Sequence, residues 1–374
     1  MKRIMLLALP LITLVGCKEF SQSSKVEASP AKTIEEASPA ETIEEASPSE
    51  AIEDVSGSKP TERKERIYPI IDLSEKSFVS VWGINPEDQY ENLTEGTVAK
   101  GSHFKGVGIG DGCTSAMIGP NVLLTAAHCV DSGGDQAQNV SFSPRIDTVN
   151  PLKYKCTMHP DYVGSDYIDS ETPRSSHDIA LCLLQNPQDM PVGSSKIFEV
   201  IETNKVPKVG DNVLMAGYGC FGIKVVEFYD RFRRRNRYTA GTVGNGDGRL
   251  RIGNAAIGET NSHPVFQNNP KYQAYIAAIS KSDDKNAKLC KGDSGGPVFS
   301  EATVNDPEGK RRVIAVNSSV GALPSDQKPV EIHSQFTDLN EGVVKSFIDK
   351  FLRENSAAKI CGKTLKPGTN RCRD

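Results

Sequence analysis

The stretch Cys290-Lys291-Gly292-Asp293-Ser294-Gly295-Gly296-Pro297 places one serine among glycines, directly after an acid and four residues after a cysteine. A serine hydroxyl is a weak nucleophile at neutral pH, so it needs a base to take its proton and donors to stabilise the resulting oxyanion. Glycine has no Cβ, and the backbone here can therefore turn its N–H groups toward a ligand. The stretch predicts a nucleophilic site that needs a histidine and a buried acid from elsewhere in the chain.

Two other segments supply those partners. His128 lies in Leu124-Thr125-Ala126-Ala127-His128-Cys129, and Asp178 lies in His177-Asp178-Ile179-Ala180-Leu181. An imidazole can accept and return a proton near neutral pH, and a carboxylate can fix its tautomer and orientation. The sequence therefore carries the three side chains of a serine nucleophile, a base and an orienting acid.

The three segments, in this order along the chain, resemble the signatures of the chymotrypsin/trypsin family of serine endopeptidases. The resemblance implies that Ser294 attacks the scissile carbonyl, that His128 acts as general base and then acid, and that Asp178 holds the imidazole. It also implies an oxyanion hole formed by the backbone N–H groups of Gly292 and Ser294. Protein or peptide substrates are expected, with no cofactor and no metal.

Short apolar runs separated by Gly, Pro, Asn and Asp favour an all-β fold. The runs are 78–82, 115–118, 122–124, 179–184, 213–216 and 313–316. The resemblance implies two six-stranded antiparallel β-barrels, with His128 and Asp178 in the first and Ser294 in the second. Apolar residues at helical spacing between Asn340 and Glu354 predict a C-terminal helix.

The primary pocket departs from the common family pattern. The resemblance assigns its floor to Lys288, six residues before the nucleophile, and its wall to Ser319 and Gly321, with Val320 in place of the usual tryptophan. It also matches Ser319 to the family serine that lines the cleft near the buried acid. A cation in a partly desolvated pocket would favour acidic substrate side chains. Alternatively, the lysine extends away from the pocket or pairs with Glu331.

Asp293 raises the question of activation. In the family this acid pairs with a new N-terminal ammonium after a pro-segment is cut, and a buried carboxylate does need such compensation. Ile67 begins the folded region and follows the basic Arg66, so the Arg66–Ile67 bond is the candidate cleavage site. The chain is therefore interpreted as a zymogen.

Eight cysteines remain when Cys17 is set aside, an even number that fits disulfides in an exported chain. The resemblance implies Cys113–Cys129, which would pin the histidine loop. It also suggests Cys156–Cys182 on neighbouring strands and Cys220–Cys290 next to the nucleophile. Cys361–Cys372 would close a small loop in a basic tail.

The first 16 residues resemble an export signal. Lys2 and Arg3 precede an apolar run over 4–15 that is too short to cross a bilayer comfortably. The run ends at a bacterial lipobox-like sequence, which implies cleavage before Cys17 and lipid attachment to its thiol. The expected location is the bacterial outer membrane or cell surface, with release possible by cleavage. The alternative is an ordinary signal peptide with an incidental cysteine.

Residues 17–66 are predicted to be a disordered linker and possible pro-segment. Three acidic nonapeptides span 27–35, 36–44 and 45–53, and residues 18–58 hold ten acids against three bases. Such a segment has too few apolar residues to offset its ordering entropy. The domain prediction is completed by a protease domain over 67–355 and a basic tail over 356–374.

The whole chain of 374 residues carries a net charge of −4 with a pI near 6.0, so nucleic acid is not an expected partner. A monomer is expected, with membrane contact through Cys17 alone. Five arginines crowd a short insertion at Arg231, Arg233, Arg234, Arg235 and Arg237. This run is either a solvated, protease-sensitive loop or an exosite for an anionic substrate or for the chain's own acidic repeats.

Two other classes of function compete with the endopeptidase. One is a catalytically silent binding module on the same fold, which the intact Ser294, His128 and Asp178 disfavour. The other is an adhesin or structural tether, which only the features of residues 1–66 support. No phosphate-binding loop is present, because the glycines at 108–112 lack the lysine and the following helix that such loops need.

Overall fold

The computed structural model describes residues 96–100, 102–131, 139–144, 151–162, 177–186, 197–220, 222–244, 246, 248–260, 275–322 and 324–374. All of them belong to the larger of two compact units, Glu65–Asp374. The predicted signal, Cys17, the linker, the Arg66–Ile67 bond, the strand at 78–82 and His263 lie outside the described residues.

Six antiparallel strands form a closed barrel in the order β2-β3-β4-β7-β6-β5. They are β2 (Val107–Gly110), β3 (Cys113–Met117), β4 (Val122–Thr125), β5 (Asn139–Pro144), β6 (Leu152–Met158) and β7 (Ala180–Leu184). In β6, Leu152, Tyr154 and Cys156 point inward while the residues between them are exposed, as the two-residue period of a strand requires.

A second barrel follows in the order β11-β12-β15-β14-β13-β8 and closes where β8 pairs with β11. Its strands are β8 (Asn212–Gly217), β11 (Arg251–Thr260), β12 (Tyr275–Lys281), β13 (Pro297–Ser300), β14 (Arg312–Ala322) and β15 (Glu331–Asp338). The short β1 (Thr97–Val98) adds to β11. The prediction of two six-stranded antiparallel barrels is confirmed.

The two barrels share one core. Leu124 and Leu181 of the first barrel belong to the same buried cluster as Leu214 and Val316 of the second. The C-terminal helix α1 (Gly342–Glu354) covers this cluster with four buried residues, Val344, Phe347, Ile348 and Phe351. The predicted helix is confirmed. Among the described helices, none has both the length and the apolar character needed to cross a bilayer.

Four disulfides tie the described chain together, and they join the four predicted pairs. Cys156 and Cys182 stand directly opposite each other on β6 and β7. The C-terminal tail packs against the first barrel, because Cys361 and Cys372 are fully buried in a cluster with Phe198.

A buried ion pair joins distant parts of the chain. The Arg311 guanidinium binds both carboxylate oxygens of Glu199 at 2.6 and 2.9 Å, and both side chains are essentially inaccessible. It also donates to the carbonyls of His103 and Pro307 and lies 4.0 Å from the centre of the Phe104 ring. A bidentate pair with further acceptors satisfies the charge that burial would otherwise make costly.

Two strands stand apart from both barrels. β9 (Gly222–Asp230) and β10 (Arg235–Val243) pair with each other as a two-stranded sheet. The arginine-rich insertion is therefore part of a hairpin: Arg231, Arg233 and Arg234 lie in its exposed turn, and Arg235 and Arg237 lie at the start of β10. Nine consecutive antiparallel pairs hold its two strands in register.

Candidate active site

His128 lies in a 3₁₀ turn, Ala127–Cys129, which directly follows β4. The Cys113–Cys129 disulfide ties this turn to the start of β3. The imidazole is held against the first barrel while 15% of the side chain stays accessible. A side chain fixed at its base and open at its tip is suited to proton transfer to a bound molecule.

Asp178 orients this imidazole with both of its oxygens. Oδ2 lies 2.7 Å from His128 Nδ1, and Oδ1 accepts a 2.9 Å hydrogen bond from the His128 backbone N–H. With Nδ1–H directed at the carboxylate, the neutral ring carries its lone pair on Nε2. This is the tautomer that a general base needs.

Two hydroxyls from the second barrel complete the environment of Asp178. Ser318 Oγ donates to Oδ2 at 2.6 Å, and Thr337 Oγ1 donates to the Asp178 carbonyl at 3.1 Å. Complete burial raises the pKa of Asp178, but the attraction of His128 and the hydrogen bonds outweigh burial and hold the pKa below its ordinary value. The carboxylate therefore stays charged at neutral pH.

The serine assignment from the sequence was wrong by one residue. Ser318 contacts the buried acid, whereas Ser319 Oγ donates to Gln335 Oε1 at 2.7 Å. The pairing of β14 with β15 shifts between Asn317 and Ser319, and this irregularity changes which serine faces Asp178. The only indication of this alternative in the sequence was that Ser318 and Ser319 are adjacent.

Ser294 donates its hydroxyl proton to the Ser318 carbonyl at 3.3 Å, and the side chain of Ser318 binds Asp178. Within the described residues, no hydrogen bond joins Ser294 to His128, whose Nε2 lies 3.7 Å from Cys129 Sγ. Hydrogen bonds between a nucleophile and its base are often long without substrate and tighten when it binds. The missing contact is therefore compatible with proton transfer between these two side chains.

Gly292 and Ser294 offer two unengaged backbone donors. Among the described residues, neither N–H has a protein acceptor. Gly292 has a φ of 100°, in the region that favours glycine, and a Cβ there would lie 3.1 Å from the Cα of Gly219. Paired, unsatisfied N–H groups beside a serine hydroxyl form an arrangement that can bind an oxyanion.

Thr114 of β3 ties the first barrel to this loop, and no motif in the sequence indicated its role. Its Oγ1 donates to the Gly292 carbonyl at 2.8 Å and accepts from the Tyr218 N–H at 2.9 Å. Its own N–H donates to the Ser294 carbonyl at 2.9 Å. Three hydrogen bonds from one buried residue therefore fix the peptides around the nucleophile.

Asp293 points away from the cleft into a space formed by glycines. Its carboxylate accepts from the N–H groups of Gly219 and Cys290 at 2.7 and 2.8 Å. A Cβ on Gly217 or Gly219 would come within 2.5 Å of this carboxylate, so only glycine fits at either position. Burial raises the pKa of Asp293 to about 7, although the hydrogen bonds from the two backbone amides act to lower it. Within the described residues, no ion pair compensates it.

Lys288 is fully buried, and its ammonium is satisfied inside the protein. Nζ donates to Asp284 Oδ1, the Asp284 carbonyl and the Asn286 carbonyl at 2.8 to 2.9 Å. The suggested pairing with Glu331 is wrong, because Glu331 binds His333 at 2.7 Å. All three ammonium protons of Lys288 have acceptors inside the protein. The lysine therefore does not offer a free cation that would make the primary pocket prefer acidic substrate side chains.

His159 and His177 stack behind Asp178, with ring centres 4.7 Å apart and planes 16° apart. His159 and His333 stand outside any motif in the sequence, which favours a surface position, but both are buried. Burial and the neighbouring His177 lower the pKa of His159 to about 4. Asp161 brings a third ligand atom near the two rings. Nearly parallel rings do not direct their lone pairs at one point, so no metal is assigned here.

The comparisons with known proteins agree with this geometry. A family model described as Trypsin matches residues 95–341. The calcium-dependent serine proteinase of Mesocricetus auratus is 27% identical over 207 residues, which is 52% of this chain and 26% of that protein. Tonin of Rattus norvegicus is 30% identical over 112 residues, covering 29% and 42%. Kallikrein-8 of Mus musculus is 24% identical over 217 residues, covering 53% and 68%.

The chain thus spans less than half the length of the first two of these relatives. The solved structure of neuropsin, a serine protease expressed in mouse brain, is 19% identical, with a TM-score of 0.46, and covers 69% of this chain and 99% of that chain. The family model covers well over half of the chain and includes His128, Asp178 and Ser294. This chain therefore belongs to the trypsin family of serine proteases.

Proposed function

We propose that the chain is a serine endopeptidase that cleaves protein or peptide substrates with Ser294, His128 and Asp178. The observation that carries the proposal is the charged, buried Asp178 bound to His128 Nδ1 at 2.7 Å. That contact leaves the lone pair of the neutral ring on Nε2, the atom proposed to take the proton of Ser294. A structural histidine would not need its tautomer fixed by a desolvated carboxylate.

Hydrolysis would proceed in two halves. Ser294 Oγ attacks the scissile carbonyl while His128 Nε2 takes the hydroxyl proton, and the tetrahedral oxyanion accepts hydrogen bonds from the N–H groups of Gly292 and Ser294. Each such donor contributes about 3 to 4 kcal/mol to the transition state. His128 then protonates the leaving amine, and an acyl-enzyme remains on Ser294. Water, activated by His128, releases the acid and restores the serine.

We propose in addition that the chain is made as a zymogen. Asp293 is a fully buried carboxylate whose pKa burial raises to about 7, so a cation placed beside it would stabilise its charged form. The ammonium of Ile67, created by cleavage after Arg66, is the proposed cation. That ion pair would hold Gly292 and its neighbours in the oxyanion-binding arrangement.

Residues 1–17 support a proposal on location. The basic start, the short apolar run and Cys17 fit an exported lipoprotein that is tethered to the outer membrane or cell surface. The acidic linker would hold the protease domain away from that membrane. Mass spectrometry of the membrane fraction is expected to find Cys17 as an acylated N-terminus, and a mature chain with an unmodified Cys17 would contradict the lipid anchor.

Labelling with a fluorophosphonate tests the nucleophile and the zymogen together. The purified chain is labelled before and after mild trypsin treatment, and its N-terminus is sequenced in both states. We expect labelling to rise at least tenfold once Ile67 becomes the N-terminus, because the oxyanion hole is then complete.

The matched control is Ser294→Ala, which is expected to take no label in either state. If the uncut chain is labelled as fast as the cleaved chain, the zymogen proposal is contradicted and the endopeptidase proposal is still supported. Absence of label in both states would overturn the endopeptidase and favour a binding module on this fold.

A further inference from the structure

The tip of the β9–β10 hairpin is held rigidly. Asp230, the last residue of β9, accepts from the backbone N–H groups of Phe232 and Arg233 at 3.0 Å each. Its second oxygen binds Arg237 Nη1 at 3.2 Å. These contacts close the turn and attach it to the start of β10, so the side chains at the tip are presented in a fixed arrangement.

Only part of the positive charge at this tip is neutralised. Asp326 binds Arg235 at 2.7 Å and Arg237 at 3.2 Å, which places two arginines against the body of the protein. Within the described residues, Arg231 and Arg234 make no ion pair. Five arginines against two carboxylates leave an excess of positive charge on an exposed turn, where it attracts anionic groups.

Two aromatic side chains project from the same tip. Phe232 is 73% exposed and Tyr229 is 56% exposed. Aromatic residues beside arginines are enriched at the energetic centres of protein interfaces, where the rings supply apolar contact area and the guanidinium groups bind carboxylates. This combination fits a polypeptide that carries both acidic and apolar side chains.

The base of the hairpin is packed onto the strand that carries the site. Ile223, Val225 and Tyr238 contact the small buried cluster that contains Ala322 and borders Val320, both on β14. The same strand contributes Ser318, which binds Asp178 and receives the Ser294 hydroxyl. The base of the hairpin is therefore packed on β14, the strand that contributes Ser318 to the site.

We propose that this tip, defined by Tyr229, Arg231, Phe232 and Arg234, is a docking surface for acidic, unfolded segments of polypeptide substrates. The inference rests on the proposed endopeptidase function and adds the class of substrate. An acidic polypeptide fits better than an anionic membrane, because the hairpin is packed on the strand that contributes Ser318 to the site and its tip presents two rings, too little apolar area for stable insertion into a bilayer.

The test compares unfolded casein, an acidic protein, with casein whose carboxylates have been amidated, and with a short uncharged fluorogenic peptide. The variant is Arg231→Gln/Arg234→Gln, and Phe232→Ser is examined separately. Each is expected to raise KM for casein about three- to tenfold at low salt, with kcat and cleavage of the short peptide unchanged. For the arginine variant, the difference from wild type is expected to disappear with amidated casein and to shrink at 0.5 M NaCl. For Phe232→Ser it is expected to persist under both conditions, because the lost contact is apolar.

Lys350→Gln/Arg353→Gln is the matched control, because it removes the same charge from the exposed face of α1. It is expected to leave KM for casein unchanged; an equal rise in KM would mean that only net charge matters and would overturn the docking surface. Equal loss of activity on casein and on the short peptide would also overturn it, since the hairpin would then act on the cleft itself.

Binding to Ser294→Ala protein separates this inference from the proposed function. Fluorescently labelled casein is expected to bind the Ser294→Ala chain, and the added Arg231→Gln/Arg234→Gln change is expected to weaken binding by the same three- to tenfold. If the wild type hydrolyses neither casein nor the short peptide, and the difference in casein binding is still observed, the docking surface is supported and the proposed endopeptidase function is refuted. If the arginine variant loses binding to anionic phospholipid vesicles and not to casein, the tip is a membrane surface and the proposal is wrong.

Discussion

Asp178→Asn is expected to lower kcat for peptide hydrolysis by about 10⁴-fold while leaving the fold and KM nearly unchanged. The side chain is fully buried and binds His128 Nδ1, the His128 N–H and Ser318 Oγ. An asparagine of the same shape can present its NH₂ group to Nδ1. The imidazole would then carry its proton on Nε2, where it cannot accept the proton of Ser294.

The measurement is steady-state kinetics across pH, with active sites counted by fluorophosphonate. Asp178→Asn is expected to recover some activity as pH rises, because hydroxide can remove the serine proton without the histidine. Ser318→Ala is the control, since it removes one hydrogen bond to Asp178 and keeps the charge, and it is expected to cost at most about 100-fold. A loss of less than tenfold for Asp178→Asn would show that the carboxylate does not set the tautomer.

The candidate active site was predictable because each part has a local sequence signal. Ser294 stands in a glycine-rich stretch whose backbone must turn sharply, and the structure gives Gly292 the positive φ that such a turn requires. His128 is followed by a cysteine whose disulfide pins its turn. Short apolar runs separated by turn residues indicated an all-β fold, and the resemblance to the protease family implied its two barrels.

Features that depend on register were not predictable. One strand irregularity places Ser318 on Asp178 in the position that the sequence assigned to Ser319. The role of Lys288 was also open, because the direction of a long flexible side chain depends on acceptors that only the folded loop brings together. Thr114 shows the same limit, since its hydroxyl bridges Gly292 and Tyr218, which are 178 and 104 residues away along the chain.

Glu199→Gln is expected to lower the free energy of unfolding by about 3 to 5 kcal/mol, the largest effect on stability that we predict. Neither side chain of the Glu199–Arg311 pair is accessible to water, and the guanidinium lies 4.0 Å from the centre of the Phe104 ring and 5.1 Å from that of Phe299. Removing the acid leaves a cation in an apolar setting. The carbonyls of His103 and Pro307 remain as acceptors, but they do not supply the missing negative charge.

The loss is measured by urea unfolding of the Ser294→Ala chain with its disulfides intact, so that self-cleavage cannot contribute. Lys205→Gln is the matched control, because the Lys205–Glu301 pair is about half exposed, and its removal is expected to cost less than about 1 kcal/mol. Glu199→Leu/Arg311→Met removes both charges and is expected to recover much of the stability, since the cost lies in the unpaired cation. If the single and double variants were equally unstable, the pair would contribute through its specific hydrogen bonds to the chain around it and not through compensation of charge.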